Sequence, residues 1–97
     1  MSGLTSLNQI SIDISNNALL IYETDKEEAI LLSRQALVAD PSNAYAWAVA
    51  GNILKKNQQF KEAENFFKKS LELNPLLKEA LYWGAENSIS LDKLDEA

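Results

Sequence analysis

Apolar residues return every three or four positions along most of this chain, the spacing that lines one face of a helix. Leu7, Ile10, Ile14, Ala18 and Ile21 predict a first helix over about residues 6–22. Ile10, Ile12 and Ile14 also alternate, as in a short strand, but the helical register extends further and no partner strand follows in the sequence. A second helix is expected over about 26–39, with Thr24 or Asp25 as cap and Glu27 or Glu28 completing a capping box. Its inward face would be Ala29, Leu32, Ala36 and Leu37. Asp40-Pro41-Ser42-Asn43 stops it, because proline cannot donate to the helical ladder and disfavours helix in the residue before it.

Ser42 or Asn43 then caps a third helix, about 44–56. Asn57-Gln58-Gln59 is a polar break. A fourth helix over about 60–73 turns Phe60, Ala63, Phe67, Ser70 and Leu71 inward and ends at Asn74-Pro75. A fifth, about 77–90, carries Leu81, Gly84 or Ala85, and Ile89 on its inward stripe, and a sixth is expected from Lys93. Links of two to four residues force neighbouring helices antiparallel.

The pattern repeats. Ala29, Ala63 and Ala97 are each 34 residues apart, as are Glu28, Glu62 and Glu96, Leu37 and Leu71, and Pro41 and Pro75. A fixed period of this length means stacked copies of one supersecondary unit. The expected organisation is one domain over 1–97, with units at about 10–43, 44–77 and an incomplete 78–97. Such a stack offers a groove to a partner rather than a pocket to a substrate.

Residues 44–77 read Trp47-x-x-Ala50-Gly51-x-x-Leu54, then Phe60-x-x-Ala63-x-x-x-Phe67-x-x-Ser70, then Pro75. This pattern resembles the tetratricopeptide repeat, and each position has a packing reason. Trp47 and Leu54, seven apart, share one face of the first helix of the unit. Gly51 lies between them, where a side chain would hold the helices apart. Ala63 and Ser70 let the second helix approach, and Phe67 fills the space between them. Residues 10–43 match in their second half only, through Glu28, Ala29, Ala36, Leu37 and Pro41. Asp13 and Asn16-Asn17 replace the tryptophan and the Ala-Gly pair, as in an atypical end repeat. Residues 78–97 match half a unit through Leu81, Ala85, Leu94 and Ala97, with Ser88 in place of the large residue at Leu54. The resemblance implies an all-α fold, a right-handed stack of antiparallel helical hairpins with about 2.5 repeats. A half-unit leaves apolar surface uncovered, so the chain is expected to be a fragment of a longer array.

Composition adds exclusions. The 97 residues are 46% hydrophobic and 24% charged, with three Gly and two Pro, which suits a helical globular chain and not disorder. Net charge is -5, distributed as -4 over 1–43, +2 over 44–77 and -3 over 78–97. An acidic chain without a basic face argues against nucleic acid. No apolar run approaches the length needed to insert in a membrane, and the start lacks a signal-peptide pattern. The absence of cysteine fits a reducing compartment, so a cytoplasmic or nuclear location is expected.

No His, no Cys and no phosphate-binding loop occur, so no catalysis, metal or cofactor is expected. Glu62, Glu64, Asp92, Asp95 and Glu96 are the carboxylates available for acid–base work, and all fall on expected solvated faces. The resemblance implies instead a protein-interaction scaffold whose first helices line a concave groove. It points to Ile14, Ser15, Ala18 and Tyr22 in the first unit, and to Tyr45, Val49, Asn52, Lys56, Glu79, Tyr82, Trp83 and Glu86 as the partner-binding set. Aromatic side chains are frequent anchors of such surfaces, and a peptide or helix of apolar or mildly basic character suits this set. Some members of the family clamp the C-terminal carboxylate of a chaperone with Lys, Asn and Arg. The corresponding places here hold Ile14, Ala18, Val49, Glu79 and Trp83, so a chaperone C-terminal carboxylate peptide is not the expected partner. The alternative is a structural segment that self-associates through open repeat ends, near Leu4, Leu7 and Ile10 on one side and Leu91 and Leu94 on the other.

Overall fold

A computed structural model describes residues 6–96. Five α-helices follow one another: α1 (Leu7–Ile21), α2 (Lys26–Ala39), α3 (Ala44–Lys56), α4 (Phe60–Leu73) and α5 (Lys78–Glu96). No strand occurs among the described residues. The starts and stops follow local chemistry. Ser6 Oγ accepts from Gln9 N at the head of α1, Asp25 from Glu28 N at α2, and Asn43 from Tyr45 N at α3. Each bond satisfies a backbone donor that the first helical turn leaves free. Between α3 and α4, Gln58 takes φ 64°, and Gln59 N closes back on Leu54 O at 2.9 Å.

The helices pair antiparallel. Ser70 Oγ near the end of α4 donates to Ala44 O at the start of α3, 2.7 Å. Ser11 Oγ near the start of α1 donates to Ala36 O near the end of α2, also 2.7 Å. The 34-residue shift carries Ala36 onto Ser70 and Ser11 onto Tyr45, one residue from Ala44, so the two bonds lie at nearly equivalent places, yet the hydroxyl comes from the first helix in one hairpin and from the second in the other. Gly51 explains the closeness of α3 and α4. A Cβ built there would lie 2.9 Å from Phe67 Cε1, inside contact distance. The helices stack so that α3 touches both α1 and α5, while the backbones of α2 and α4 do not approach each other. The first helices therefore form the more closely spaced, inner layer.

Four expectations change. First, α1 does not bury its isoleucine stripe: Leu7 is 65% exposed and Ile10 lies at the edge, while Ser11, Ser15, Ala18 and Tyr22 face inward. Small residues at the seam let α1 sit close to two helices at once, and bulk there would separate them. Second, Trp47 is half-buried rather than central. Its Nε1 donates to Pro41 O at 2.8 Å, and its ring lies against Phe66 at 5.3 Å between centroids. Third, α5 does not stop near residue 90. It runs through Leu91-Asp92-Lys93 without a break, so no sixth helix starts at Lys93. No residue there takes the left-handed conformation that Gln58 adopts, so nothing breaks the helix at that point. Fourth, α5 buries Ala80 and Asn87 and half-buries Trp83 and Gly84, leaving Leu81 49% and Ile89 57% exposed. Leu94 is likewise exposed and Leu91 half-buried, while Leu4 and Ala97 lie outside the described residues.

Asn87 stands where the repeat has Ile53. It is 1% exposed, its Nδ2 donates to Phe60 O at 2.9 Å, and its Oδ1 has no partner. A buried acceptor left unpaired costs about 1–3 kcal/mol, more than one ordinary bond returns. Asn87→Leu should therefore stabilise the fold by about 1 kcal/mol, raising Tm by about 4–8 °C in a chain of this size. A lower Tm would mean that the bond to Phe60 outweighs the orphaned oxygen.

Candidate functional site

The inner layer gathers most of the predicted partner-binding residues on one face, and their exposure divides them. Val49 is fully buried and Asn52 nearly so. Val49 packs with Ala18, Tyr22, Ala29 and Ile53 in the core between the hairpins. Two residues of one helix cannot both face a groove and the helix behind it, and at these positions packing takes precedence. Trp83 is half-buried against that cluster and against the second cluster of Leu54, Ala63 and Phe67. It joins α5 to the rest of the fold. In the first unit Ser15, Ala18 and Tyr22 are buried and Ile14 is half-buried.

The remaining residues form a cross-linked polar surface. The half-buried Tyr45 donates its hydroxyl to Asn16 Oδ1 at 2.6 Å, linking α3 to α1. Burial, with the charge of Glu79 second, raises the Tyr45 phenol above its ordinary value. Across the next interface, Lys55 Nζ donates to Glu86 Oε1 at 2.8 Å. That bond, aided by the Lys55 charge and a hydrogen bond from Tyr82, holds the Glu86 carboxyl below its usual range against a smaller opposing effect of burial. Tyr82 itself is 66% exposed. At the far end Lys56 and Lys26 lie over the buried Tyr22 ring, 5.6 and 5.9 Å from its centroid. The face is thus basic toward Lys26, Lys55 and Lys56 and acidic toward Glu79.

Sequence reasoning missed Asn16, Lys26 and Lys55. For Lys55 a signal existed: it is three residues after Asn52, hence on the same side of α3, and its charge opposes that of Glu86. No such signal marked Asn16, whose partner lies 29 residues away. Among the described residues no group of three or more His, Cys, Asp and Glu side chains is placed to hold a metal ion, and no helix is long and apolar enough to cross a membrane.

Two antiparallel hairpins and a further helix, stacked with their first helices in one layer, define a helical-repeat protein. The tetratricopeptide repeat family model matches residues 44–77, the α3–α4 hairpin and the turn after it. That hairpin is a tetratricopeptide repeat, the signature of a protein–protein interaction module in a generally non-catalytic family. No curated protein matches the chain significantly.

Proposed function

We propose that the chain binds a peptide or helix of a partner protein on the inner face of α1, α3 and α5. The observation that carries this reading is Tyr82. A large aromatic ring, 66% exposed, stands beside the Lys55–Glu86 pair, and nothing in the core requires it there. Aromatic side chains next to ordered polar groups are frequent anchors of protein interfaces. Tyr45, Lys56, Glu79 and Glu86 complete the surface, with Lys55 added. Val49, Asn52 and Trp83 support it from behind. The opposed charges at its two ends favour a ligand that is acidic at one end and basic at the other.

Pull-down with the chain as bait tests the reading. Tyr82→Ala and Lys56→Glu should each lose the same partner, while Leu31→Ala on the outer helix α2 keeps it. Helical content should be unchanged, since Tyr82, Lys56 and Leu31 are all exposed. Retention of every partner by both variants would refute the assignment. A chaperone peptide ending in Glu-Val-Asp should give no measurable heat in calorimetry. Ala18 and Val49 are buried and the charge of Glu79 repels a carboxylate. Micromolar binding of that peptide would overturn the exclusion.

A further inference from the structure

The 34-residue shift maps one cleft of the molecule onto another. It carries Ile30, Ser33 and Arg34 of α2 onto Glu64, Phe67 and Lys68 of α4, and Ala50 and Leu54 of α3 onto Gly84 and Ser88 of α5. The first set lines a nearly filled cleft that also takes in Phe66 from α4. The second set lines an open groove between α4 and α5. The second is bordered by Leu71, Ala80, Leu81 and Ala85 as well, so the outer face of α5 presents an open, largely apolar groove.

We propose that the helix filling this groove is α5 of a second copy, lying antiparallel about a two-fold axis through Ala85. The sequence of α5 is self-complementary in that register. Lys78, Leu81, Ala85, Ile89 and Asp92 fall on one side of the helix, symmetrically about Ala85. Two-fold pairing sets each Leu81 against the partner's Ile89, and each Lys78 against the partner's Asp92. Of the large side chains that α5 leaves exposed, Leu81, Tyr82, Ile89 and Leu94, the first and third fall on this side, and the small Ala85 lets the two helix axes approach. The walls of the groove agree with this polarity. Lys68 borders it together with Leu71 and Ala80, at the Lys78 end. Glu64 borders it with Ser88 and Asp92 at the other end, beside Lys61. An antiparallel partner therefore brings its acidic end to Lys68 and Lys78, and its basic end to Glu64 and Asp92. Glu79 and Glu86 face the inner layer, while Tyr82 borders this stripe; the substitutions below, at residues 78 and 92, leave Tyr82 in place.

Sedimentation equilibrium on the 97-residue chain tests the proposal. A reversible dimer is expected. Because a two-fold interface repeats every contact, one substitution alters two pairs, and Lys78→Asp or Asp92→Lys should weaken dimerisation at least about ten-fold. The combined Lys78→Asp/Asp92→Lys chain should recover the affinity. Circular dichroism should show unchanged helicity in all three, since both positions are exposed. A monomer at every concentration would overturn the proposal. So would a dimer indifferent to these reversals, or one dissolved instead by Ile10→Glu at the opposite end. A monomer that captures an added peptide of residues 58–76 would assign the groove to a second-helix ligand and likewise overturn the two-fold pairing.

Discussion

Replacing Phe67 by alanine should remove about 3–5 kcal/mol of stability, the range for deleting a buried aromatic ring whose surroundings collapse only in part. In a chain of this length that is a large share of the whole, and it lowers Tm by about 12–40 °C. Phe67 is 3% exposed and packs with Leu54, Ala63, Phe66 and Trp83, so its loss loosens the α3–α4 hairpin and its junction with α5 together. Its ring also occupies the space that Gly51 leaves open. Gly51→Leu alone should cost about 1–3 kcal/mol by overpacking against that ring. In the Phe67→Ala background the same leucine has a cavity to enter. The double variant should therefore be more stable than the two single losses added together predict. Thermal melts of the four chains measure this, and strict additivity would show that residues 51 and 67 do not share one space.

Asn43→Ala should cost about 2 kcal/mol, about half from the helix cap and half from a buried side-chain bond. Asn43 Oδ1 accepts from Tyr45 N at the head of α3, while its Nδ2 donates to Ser11 Oγ at 2.9 Å, and that hydroxyl donates onward to Ala36 O. One amide thus ties α1, α2 and α3 at a single buried point. Ser11→Ala breaks the same chain of bonds from the other side. The double variant should lose less than the sum, since the bond between the two residues is lost only once. Urea unfolding of the set checks this. A full sum would mean that the two residues act separately, and a Ser11→Ala chain as stable as the parent would remove the network from the account.

Helix identity and boundaries were legible because prolines, caps and apolar spacing agree along residues 26–73. Gly51 and Phe67 were legible together, since one makes the space that the other fills. The inward face of α1 was not. Ile10 and Ile14 dominate the apolar pattern, but the seam against two neighbours selects for smallness, and Ser11 and Ser15 carry no apolar signal. The inner stripe of α5 was missed for a related reason: Asn87 occupies a core position in which a polar residue reads as surface. For the candidate binding face, the resemblance pointed to the first helix of each unit but not to which of its residues packing would claim. Val49 and Asn52 lie on the side of α3 that its neighbours cover, which becomes evident only when the helices are assembled.

The hydroxyl that bridges the helices of each hairpin has changed sides between the two copies, with Ser11 donating to Ala36 O in one and Ser70 donating to Ala44 O in the other. Each half is fitted to its own mate. A chimera joining α3 to α2 would carry neither bridging serine, whereas α1 joined to α4 would carry both Ser11 and Ser70. Units that look interchangeable by their shared spacing are thus exchangeable only as whole hairpins, and recombination within this chain is expected to keep its crossovers in the turns at Pro41 and Pro75.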